Sequence, residues 1–390
     1  MILVCEPVCH GFEHSSFNAA MLLVISHACP EEEIVFLAER DHLGFVGAET
    51  LVSSRKAIQF EPIDIPKRKS IKAERFELEH RLVRMLFERA ERSGASRVVF
   101  TCISNETLRA VKLQFPAFPG VKCLMVMHSI LSSVAERPSL LPWKNRDTFR
   151  NWLLRGNCDR LTYIVLGDSI KRELLDRVPS LAPYVTSIDH PYHFEPAVKY
   201  SPFAGNSITF GALGVLRKVK GSHEFLRLAH EIQKTRTSFC SRFVCIGPII
   251  DRKLRGLLSD DVELPSPDAP LSPQDYALHV RSIDYAIFFH KPETYTLTAS
   301  GVLFDAFSYL KPVIALRNPF FESYFERMGN IGYLCDNYGE LKRTVLSLLD
   351  SPPYEEYESQ RQNILKGRAD MEIPALAQRL RSILSPSRCE

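Results

Sequence analysis

Residues 290–316, HKPETYTLTASGVLFDAFSYLKPVIAL, are the stretch that decides the fold. The apolar run just before them, 283–289, is typical of a strand that is buried on both faces of a parallel sheet. Lys311-Pro312 ends a short helix, and a second strand begins at Val313. That helix is predicted from a single apolar stripe at helical spacing, formed by Leu303, Ala306, Phe307 and Leu310.

The start of this helix is a candidate anion site. Thr298 and Ser300 are good capping residues, and Gly301 allows a ligand to approach the backbone closely. The free N–H groups and the dipole at a helix N-terminus favour phosphate. Asp305 lies about one turn further on, opposite the apolar stripe, where it could reach a ribose hydroxyl. An isolated Asp is more often a solvated surface carboxylate, so the rest of the chain must decide.

The same alternation of strands and helices runs through the whole chain. Among other elements, it predicts strands over 34–38 and 161–166, helices over 222–233 and 251–258, and a short strand over 262–264. A segment rich in Pro and Gly at 189–206 predicts a linker between two halves. The pattern predicts an α/β protein with two doubly wound, Rossmann-like domains that face each other across a cleft. We expect an N-terminal domain over 1–195, a C-terminal domain over 196–370, and a C-terminal helix within 371–390 that packs back on the N-terminal domain.

Composition and charge exclude several classes of protein. The 390 residues are 45% hydrophobic and 24% charged, which is typical of a soluble globular protein. A net charge of +3 over this length argues against a nucleic-acid partner. No apolar run approaches the ~18–20 residues needed to cross a membrane. The N-terminal sequence MILVCEP is interpreted as a core strand and not as a signal peptide, so we expect a cytoplasmic protein.

The ten cysteines predict neither disulfides nor a metal centre. They are scattered through predicted strands, and no C-x-x-C pair occurs. Cys5 and Cys9 with His10 lack a second half with ligand spacing, so no metal is expected. The thiols are those of small core residues in a reducing compartment.

A second candidate site opens the C-terminal half, in the sequence TFGALGVLRKVKG over 209–221. Gly214 lies at a strand-to-loop turn, where a small residue lets a phosphate come close. Arg217, Lys218 and Lys220 place three cations at the same loop, which suits a diphosphate whose charge grows as it leaves. The loop alone is equally compatible with a solvated basic surface.

Four segments in order resemble the C-terminal half of GT-B glycosyltransferases, most closely the family 4 (group 1) type. The resemblance covers roughly residues 205–350, and it implies transfer of a sugar from a nucleoside-diphosphate donor, UDP- or GDP-linked, without a metal or other cofactor. No Asp-x-Asp sequence is present, and the loop cations would replace the metal. The segments are Gly214 to Gly221, Asp284 to Phe289, Ser300 to Ala306, and Lys311 to Ala315.

The resemblance assigns roles to individual residues. It implies that Lys220 holds the donor diphosphate with help from Arg217, and that Asp305, in place of the usual Glu, holds the ribose. The backbone from Thr298 through Ser300 to Gly301 would face the phosphates. The nucleobase would pack against the loop over 265–268.

The chain departs from the family at one acidic position. Family members carry a first acid eight residues before the second, and Leu297 stands there in this sequence. Glu293 lies twelve residues before Asp305 and is the candidate replacement. The resemblance implies a hexosyltransferase of the retaining type, but the departure leaves the stereochemistry open.

In the N-terminal half, two features match the family. His128 ends a predicted strand and resembles the histidine that touches the donor sugar. The loop His10-Gly-Phe-Glu-His14 follows the first strand, where such enzymes keep a glycine, here Gly11, near the phosphates and the acceptor. Glu13 or His14 is the candidate base for the acceptor hydroxyl.

Basic and aromatic residues are interleaved over 137–160, with six Lys or Arg against two Asp. Together with the basic residues at 67–69, they allow peripheral contact with an anionic membrane, in which case a lipid-linked or polysaccharide acceptor is expected. A solvated basic face is the alternative.

The leading hypothesis is a glycosyltransferase that makes a surface or capsular glycan. Two alternatives stay open: a sugar-nucleotide 2-epimerase on the same fold, and a non-catalytic nucleotide-sugar-binding module, which Leu297 favours. An NAD-dependent enzyme is disfavoured because no G-x-G-x-x-G follows a strand.

Overall fold

The computed structural model describes residues 1–48, 52, 58–67, 69–128, 130–135, 147–197 and 200–384. Ser129 and residues 137–146 of the basic segment lie outside the described residues. The chain divides into two compact units. The first comprises Met1–His193, Leu297–Ala299 and the segment that begins at Met371, and the second comprises Phe194–Thr296 and Ser300–Asp370.

The first unit is built on a parallel sheet of seven strands. The strands are β1 (Ile2–Cys5), β2 (Ile34–Ala38), β3 (Ile58–Pro62), β4 (Arg97–Phe100), β5 (Cys123–Val126), β6 (Leu161–Leu166) and β7 (Val185–Ile188). Their order is β3-β2-β1-β4-β5-β6-β7, and every neighbouring pair is parallel. Because the chain turns from β1 to β2 on one side and resumes with β4 on the other, the switch point of the sheet lies between β1 and β4.

The second unit has a parallel sheet of five strands. They are β8 (Ser207–Leu213), β9 (Cys240–Ile246), β10 (Tyr285–Phe288), β11 (Val313–Leu316) and β12 (Gly332–Cys335). Their order is β12-β11-β10-β8-β9. The switch point lies between β8 and β10, so the loops that follow these two strands meet at the carboxyl edge where ligands bind in such sheets.

Helices cover the two sheets. In the first unit they are α1 (Ser15–Ala28), α2 (Arg40–Gly47), α3 (Lys72–Ser93), α4 (Asn105–Gln114), α5 (Phe149–Leu154) and α6 (Asp168–Arg177). In the second they are α7 (Ser222–Gln233), α8 (Pro273–Ser282), α9 (Pro292–Tyr295), α10 (Gly301–Ser308), α11 (Pro319–Met328), α12 (Tyr338–Asp350) and α13 (Tyr354–Gly367). No helix in the described ranges is long and apolar enough to cross a membrane.

The final helix, α14 (Ile373–Leu384), belongs to the first unit. Leu376 and Leu380 on α14 are buried in the same hydrophobic core as Leu22 of α1 and Val126 of β5. Almost every side chain of α1 is buried, because that helix lies between the sheet and α14 and has no polar face. The core of the first unit therefore depends on a segment that lies far away in sequence.

The two parallel α/β sheets confirm the predicted fold class, with local corrections. The predicted helix over 251–258 is a 3-10 helix over Arg252–Leu257, and the predicted strand over 262–264 is a single bridge between Val244 and Glu263. A further short helix, α9, interrupts the loop after β10. The short helices α2, α5 and α6 were not predicted because only two or three residues of each are buried, and β7, although mostly buried, is only four residues long.

Candidate functional site

Gly214 brings the loop after β8 against the start of α10. Its φ is +75°, and a Cβ at this position would lie 2.6 Å from Cγ1 of Val302, in the first turn of α10. The Nζ atom of Lys220 lies 3.8 Å from the same point. Only glycine therefore fits here, and its absent side chain leaves an ammonium group, a turn and a helix N-terminus side by side.

The loop from Gly214 to Gly221 is held in shape by its own backbone. Gly214 donates to Ile246 and Leu216 donates to Pro248, each over 2.9 Å, which ties the loop to the end of β9. Gly221, with φ +75°, closes the loop directly against the backbone of Phe289, after β10. The backbone that carries the cations of this loop is therefore held in place at the switch point of the second sheet.

Lys220 is the electrostatic centre of this loop. Its surroundings lower the pKa to about 8, chiefly because burial disfavours the charged amine and next because Arg217 lies near; Asp305 acts in the opposite direction. An anion bound here would relieve the repulsion between the two cations and restore the charge of Lys220. The arrangement can therefore bind a multiply charged anion.

Ser300 begins α10 but does not cap it. Its hydroxyl is buried and makes no hydrogen bond within the described part of the chain, which corrects the expectation of a capping side chain. Gly301 is the first residue of the helix, so its N–H is among those that have no intrahelical acceptor. Thr298 is half-buried and is grouped with the first unit.

Asp305 is half-buried on α10 and has a partner that sequence reasoning missed. The phenol of Tyr276, on α8, donates to Oδ2 of Asp305 over 2.7 Å. Burial raises the pKa of Tyr276 well above its usual value, and the neighbouring Asp305 charge adds to the effect, so the phenol stays a donor. Asp305 is thus a held carboxylate and not a solvated one.

His290, to which the sequence pattern assigned no role, lies close to Lys220. Its ring stacks on Tyr295 with 3.9 Å between centroids and an interplanar angle of 6°. Its Nδ1 is buried and makes no hydrogen bond to any described residue. Burial, and then the charge of Lys220, hold the pKa of His290 well below its usual value, so the imidazole is neutral and offers an unused polar atom.

Glu293 lies apart from this buried group, exposed on α9. It lines a pocket of about 720 Å³ together with Arg217, Lys218 and Lys291. The pocket shares Arg217 with the predicted diphosphate site, whereas neither Lys220 nor Asp305 lines it. Leu297, at the place of the family's first acid, is buried and apolar.

The loop predicted to face the nucleobase is anchored next to β9. The carbonyl of Pro267 accepts from Ile249 over 2.9 Å, and the hydroxyl of Ser266 donates to the carbonyl of Ala269 over 2.6 Å. The loop leads directly into α8, which begins at Pro273 and carries Tyr276.

In the first unit, a buried carboxylate organises the loop after β1. Glu6 is fully buried and accepts four hydrogen bonds, from the backbone of Val8 and Cys9 and from the side chains of Asn18 and Thr101. Further along the loop, the carbonyl of Gly11 pairs with Nδ1 of His42 over 2.7 Å, and its N–H donates to Glu39. These contacts position the loop that contains His14.

His14 and His128 form a pair across this loop. Their Nδ1 atoms are 3.0 Å apart, so one ring donates and the other accepts. The backbone of His14 has φ +53°, a strained conformation for a residue with a side chain, which is typical of functional positions. Burial, followed by His14 and His190, holds the pKa of His128 well below its usual value. Glu13 is half-buried and accepts from the backbone N–H of His10.

One group of potential metal ligands occurs in the described ranges: Glu6, Cys9 and Cys102, whose ligand atoms lie within 4.8 Å of one another. It differs from the combination of Cys5, Cys9 and His10, which the sequence pattern did not favour as a metal site. Both oxygens of Glu6 already accept two hydrogen bonds each, so the carboxylate has a structural role without any ion.

No protein-family model matches the chain, and no curated protein matches its sequence. Solved structures do match over nearly the full length. HepE of Anabaena, in complex with UDP and glucose, aligns with a TM-score of 0.67 and 14% identity over 99% of both chains. WaaG, a glycosyltransferase involved in lipopolysaccharide biosynthesis, aligns with a TM-score of 0.62 and 12% identity over 99% of this chain and 100% of that chain.

A third structure, apo OtsA, aligns with a TM-score of 0.64 and 10% identity over 98% of both chains. These neighbours have the GT-B fold, so the chain has the GT-B fold. Identities this low show the fold alone, and the activity must be argued from the site.

Proposed function

We propose that this protein is a glycosyltransferase that moves a sugar from a nucleoside-diphosphate sugar to a hydroxyl acceptor during the synthesis of a surface polysaccharide, glycan or glycolipid. The observation that carries the proposal is the convergence of Lys220 Nζ, the Gly214 turn and the N-terminus of α10 at the switch point of the second unit. A nucleoside-diphosphate sugar is a ligand that needs an ammonium group and free N–H groups for its phosphates, and a hydrogen-bond acceptor for its ribose, at one edge of a sheet.

The donor is held by residues of the second unit. Lys220 and Arg217 bind the diphosphate, the backbone at Ser300 and Gly301 binds its oxygens, and Asp305 accepts from the ribose. Because the leaving diphosphate gains charge as the glycosidic bond breaks, fixed cations stabilise the transition state more than the ground state. They take the place of a divalent ion, so the reaction proceeds without a metal.

UDP is the favoured nucleotide, with GDP as the alternative. HepE, whose structures contain UDP and UDP-glucose, has the same fold as this chain over its full length. The loop over 265–268 would hold the base through its backbone.

The first unit supplies the groups that act on the sugar and the acceptor. His128 contacts the donor sugar, Gly11 keeps the loop after β1 close to the phosphates, and Glu13 or His14 takes the acceptor proton. The hydrogen bond between His14 and His128 favours His14 as the base. When His14 takes the acceptor proton, its charged ring can donate a hydrogen bond to the neutral ring of His128. Glu293 takes the place of the first acid of the family. The proposed reaction is a hexosyl transfer that retains the configuration of the sugar.

A non-catalytic nucleotide-sugar-binding module is the second candidate, and the buried Leu297 favours it. A 2-epimerase would use the same donor pocket. Incubation with donor alone and with donor plus acceptor separates the three: an epimerase alters the sugar without an acceptor, a transferase releases the nucleotide, and a module does neither.

Peripheral contact with an anionic membrane on its cytoplasmic side fits the acceptor class. Ile71 is 62% exposed at the start of α3, next to Lys69 and Lys72, and Leu154 is 37% exposed beside Trp152. Apolar side chains among cations suit an anionic headgroup layer. Co-sedimentation with phosphatidylglycerol vesicles, but not with phosphatidylcholine vesicles, is expected; binding to neither contradicts this part of the proposal.

The direct test of donor binding is a thermal-shift panel of UDP, GDP, ADP and CMP with their sugars. A ligand that binds the native state raises the melting temperature by mass action. We expect a shift with UDP or GDP and their sugars that disappears in Lys220→Ala. The absence of a shift with every nucleotide would contradict the proposal.

A further inference from the structure

We propose that Tyr276 is a positioning residue that aims the Asp305 carboxylate at a ribose hydroxyl of the bound nucleotide, and thereby makes the site selective for ribonucleotides over deoxyribonucleotides. The inference rests on the proposed function, since it requires a nucleoside diphosphate in the second unit. No sequence motif contains Tyr276, and the residue enters the site only through the fold.

The contact is short and its direction is fixed. Oη of Tyr276 lies 2.7 Å from Oδ2 of Asp305, which is the distance of a strong bond between a hydroxyl and a carboxylate. Burial and the Asp305 charge keep the pKa of the phenol above its usual value, so Tyr276 donates at all physiological pH values. Asp305 is therefore held as an acceptor in one orientation.

A held carboxylate recognises a hydroxyl better than a rotating one. Two ionised oxygens offer about four lone-pair sites, and the phenol uses one of them. Without the phenol, the carboxylate would lose one fixed contact, and the binding energy would have to cover more of the cost of ordering it. The Tyr276 hydroxyl lowers this cost in advance.

The position of the pair matches the position of a ribose within a nucleotide. Tyr276 lies near the start of α8, directly after the loop that is anchored through Pro267 to the end of β9. Asp305 lies on α10, whose first turn packs against Gly214. The charge of Asp305 acts on Lys220. A ribose connects the base to the diphosphate, so the bond between Tyr276 and Asp305 connects the part of the site for the base with the part for the phosphates.

The test is isothermal titration calorimetry of UDP, GDP and their 2′-deoxy and 3′-deoxy analogues. Wild-type protein, Tyr276→Phe, Asp305→Asn and a matched control, Tyr309→Phe, are compared. Tyr309 is a neighbouring phenol at the C-terminal end of α10. We expect wild-type protein and Tyr309→Phe to bind one deoxy analogue at least about tenfold more weakly than the ribonucleotide, the effect of losing a hydrogen bond to a charged group.

In Tyr276→Phe, the ratio of the dissociation constants of the deoxy analogue and the ribonucleotide should fall to within about threefold. The deoxy analogue itself should bind nearly as in wild-type protein. Asp305→Asn should also lose the discrimination, and adding Tyr276→Phe to it should change little more, because both act through one contact. The Asn variant keeps the test decisive if Tyr276→Phe does not fold. Full discrimination in a folded Tyr276→Phe overturns this inference, whereas wild-type protein that binds no nucleotide overturns the proposed function instead.

Discussion

The Nζ atom of Lys220 lies 3.8 Å from the point that a Cβ would occupy at Gly214, so the ammonium group lies beside a residue that has no side chain. This relationship predicts the effect of a single methyl group. Gly214→Ala would collide with Val302 and would strain a backbone whose φ is +75°. We expect at least about a tenfold loss of nucleotide affinity, measured by calorimetry.

Gly94 provides the matched control. It also has a positive φ, of +64°, but a Cβ there meets no atom within 4 Å, and it lies in the first unit. Gly94→Ala should lower stability somewhat and leave nucleotide affinity unchanged. Equal affinity in Gly214→Ala and Gly94→Ala would contradict the placement of the phosphates at Gly214.

The pKa of Lys220 predicts how nucleotide affinity depends on pH. The free protein holds this pKa at about 8, and a bound diphosphate would raise it, so binding takes up a proton above pH 8. Affinity should change by less than about twofold from pH 7 to 8 and should then fall by up to about tenfold per pH unit. Lys220→Arg, which stays charged, should show no such fall. If the nucleotide affinity of wild-type protein did not depend on pH above pH 8, a contact between Lys220 and the phosphates would be contradicted.

The histidine pair predicts a defect in turnover without a defect in nucleotide binding. His128→Gln removes a ring that hydrogen-bonds His14, and a positioned proton-transfer group contributes about 10²–10⁴-fold. We expect a loss of this order in kcat, with the nucleotide dissociation constant changed less than about threefold. His230→Gln, which alters a surface histidine paired with Asp261, serves as the control. Turnover of His128→Gln close to that of the control would contradict a catalytic role.

The stability of the second unit should depend on Asp284. This buried carboxylate accepts from the backbone of Thr209 over 2.7 Å, from the backbone of Phe203 over 3.1 Å and from the phenol of Tyr200 over 2.9 Å. Asp284→Ala leaves the two backbone donors without this acceptor, while the Tyr200 phenol keeps the carbonyl of Ile283, so the free energy of unfolding should fall by about 3 kcal/mol or more. Urea denaturation measures it. Asp261→Ala, at the surface, should cost less than about 1 kcal/mol; equal losses in the two variants would contradict the role of Asp284.

The fold could be predicted because it depends on local apolar periodicity. Strands β2 and β6 and helix α7 were predicted with the bounds that the structure has, since each is an apolar run or stripe flanked by clear turn signals. The Gly214 turn, Lys220 and Asp305 were likewise found as local motifs. Their roles toward a nucleotide remain proposals.

The contacts that complete the candidate site could not be predicted, because each joins residues that lie far apart in sequence. Tyr276 is 29 residues from Asp305, and His14 is 114 residues from His128. Local apolar periodicity carries no information about such distant pairs. They are brought together only by the order of the parallel strands. The buried Nδ1 of His290 was missed for a related reason, since its position after an apolar strand is equally compatible with a core histidine.

The most direct test of the central claim is the rate at which purified protein releases nucleotide from UDP- and GDP-sugars, with and without a glycan or lipid-linked acceptor. Wild-type protein should turn over one of these donors, and Lys220→Ala should be slower by about 10²-fold or more, the scale of losing one preorganised charge contact. Lys218→Ala, an exposed neighbour in the same loop, should stay within a few fold of wild type. Turnover of Lys220→Ala within a few fold of wild type would contradict the account.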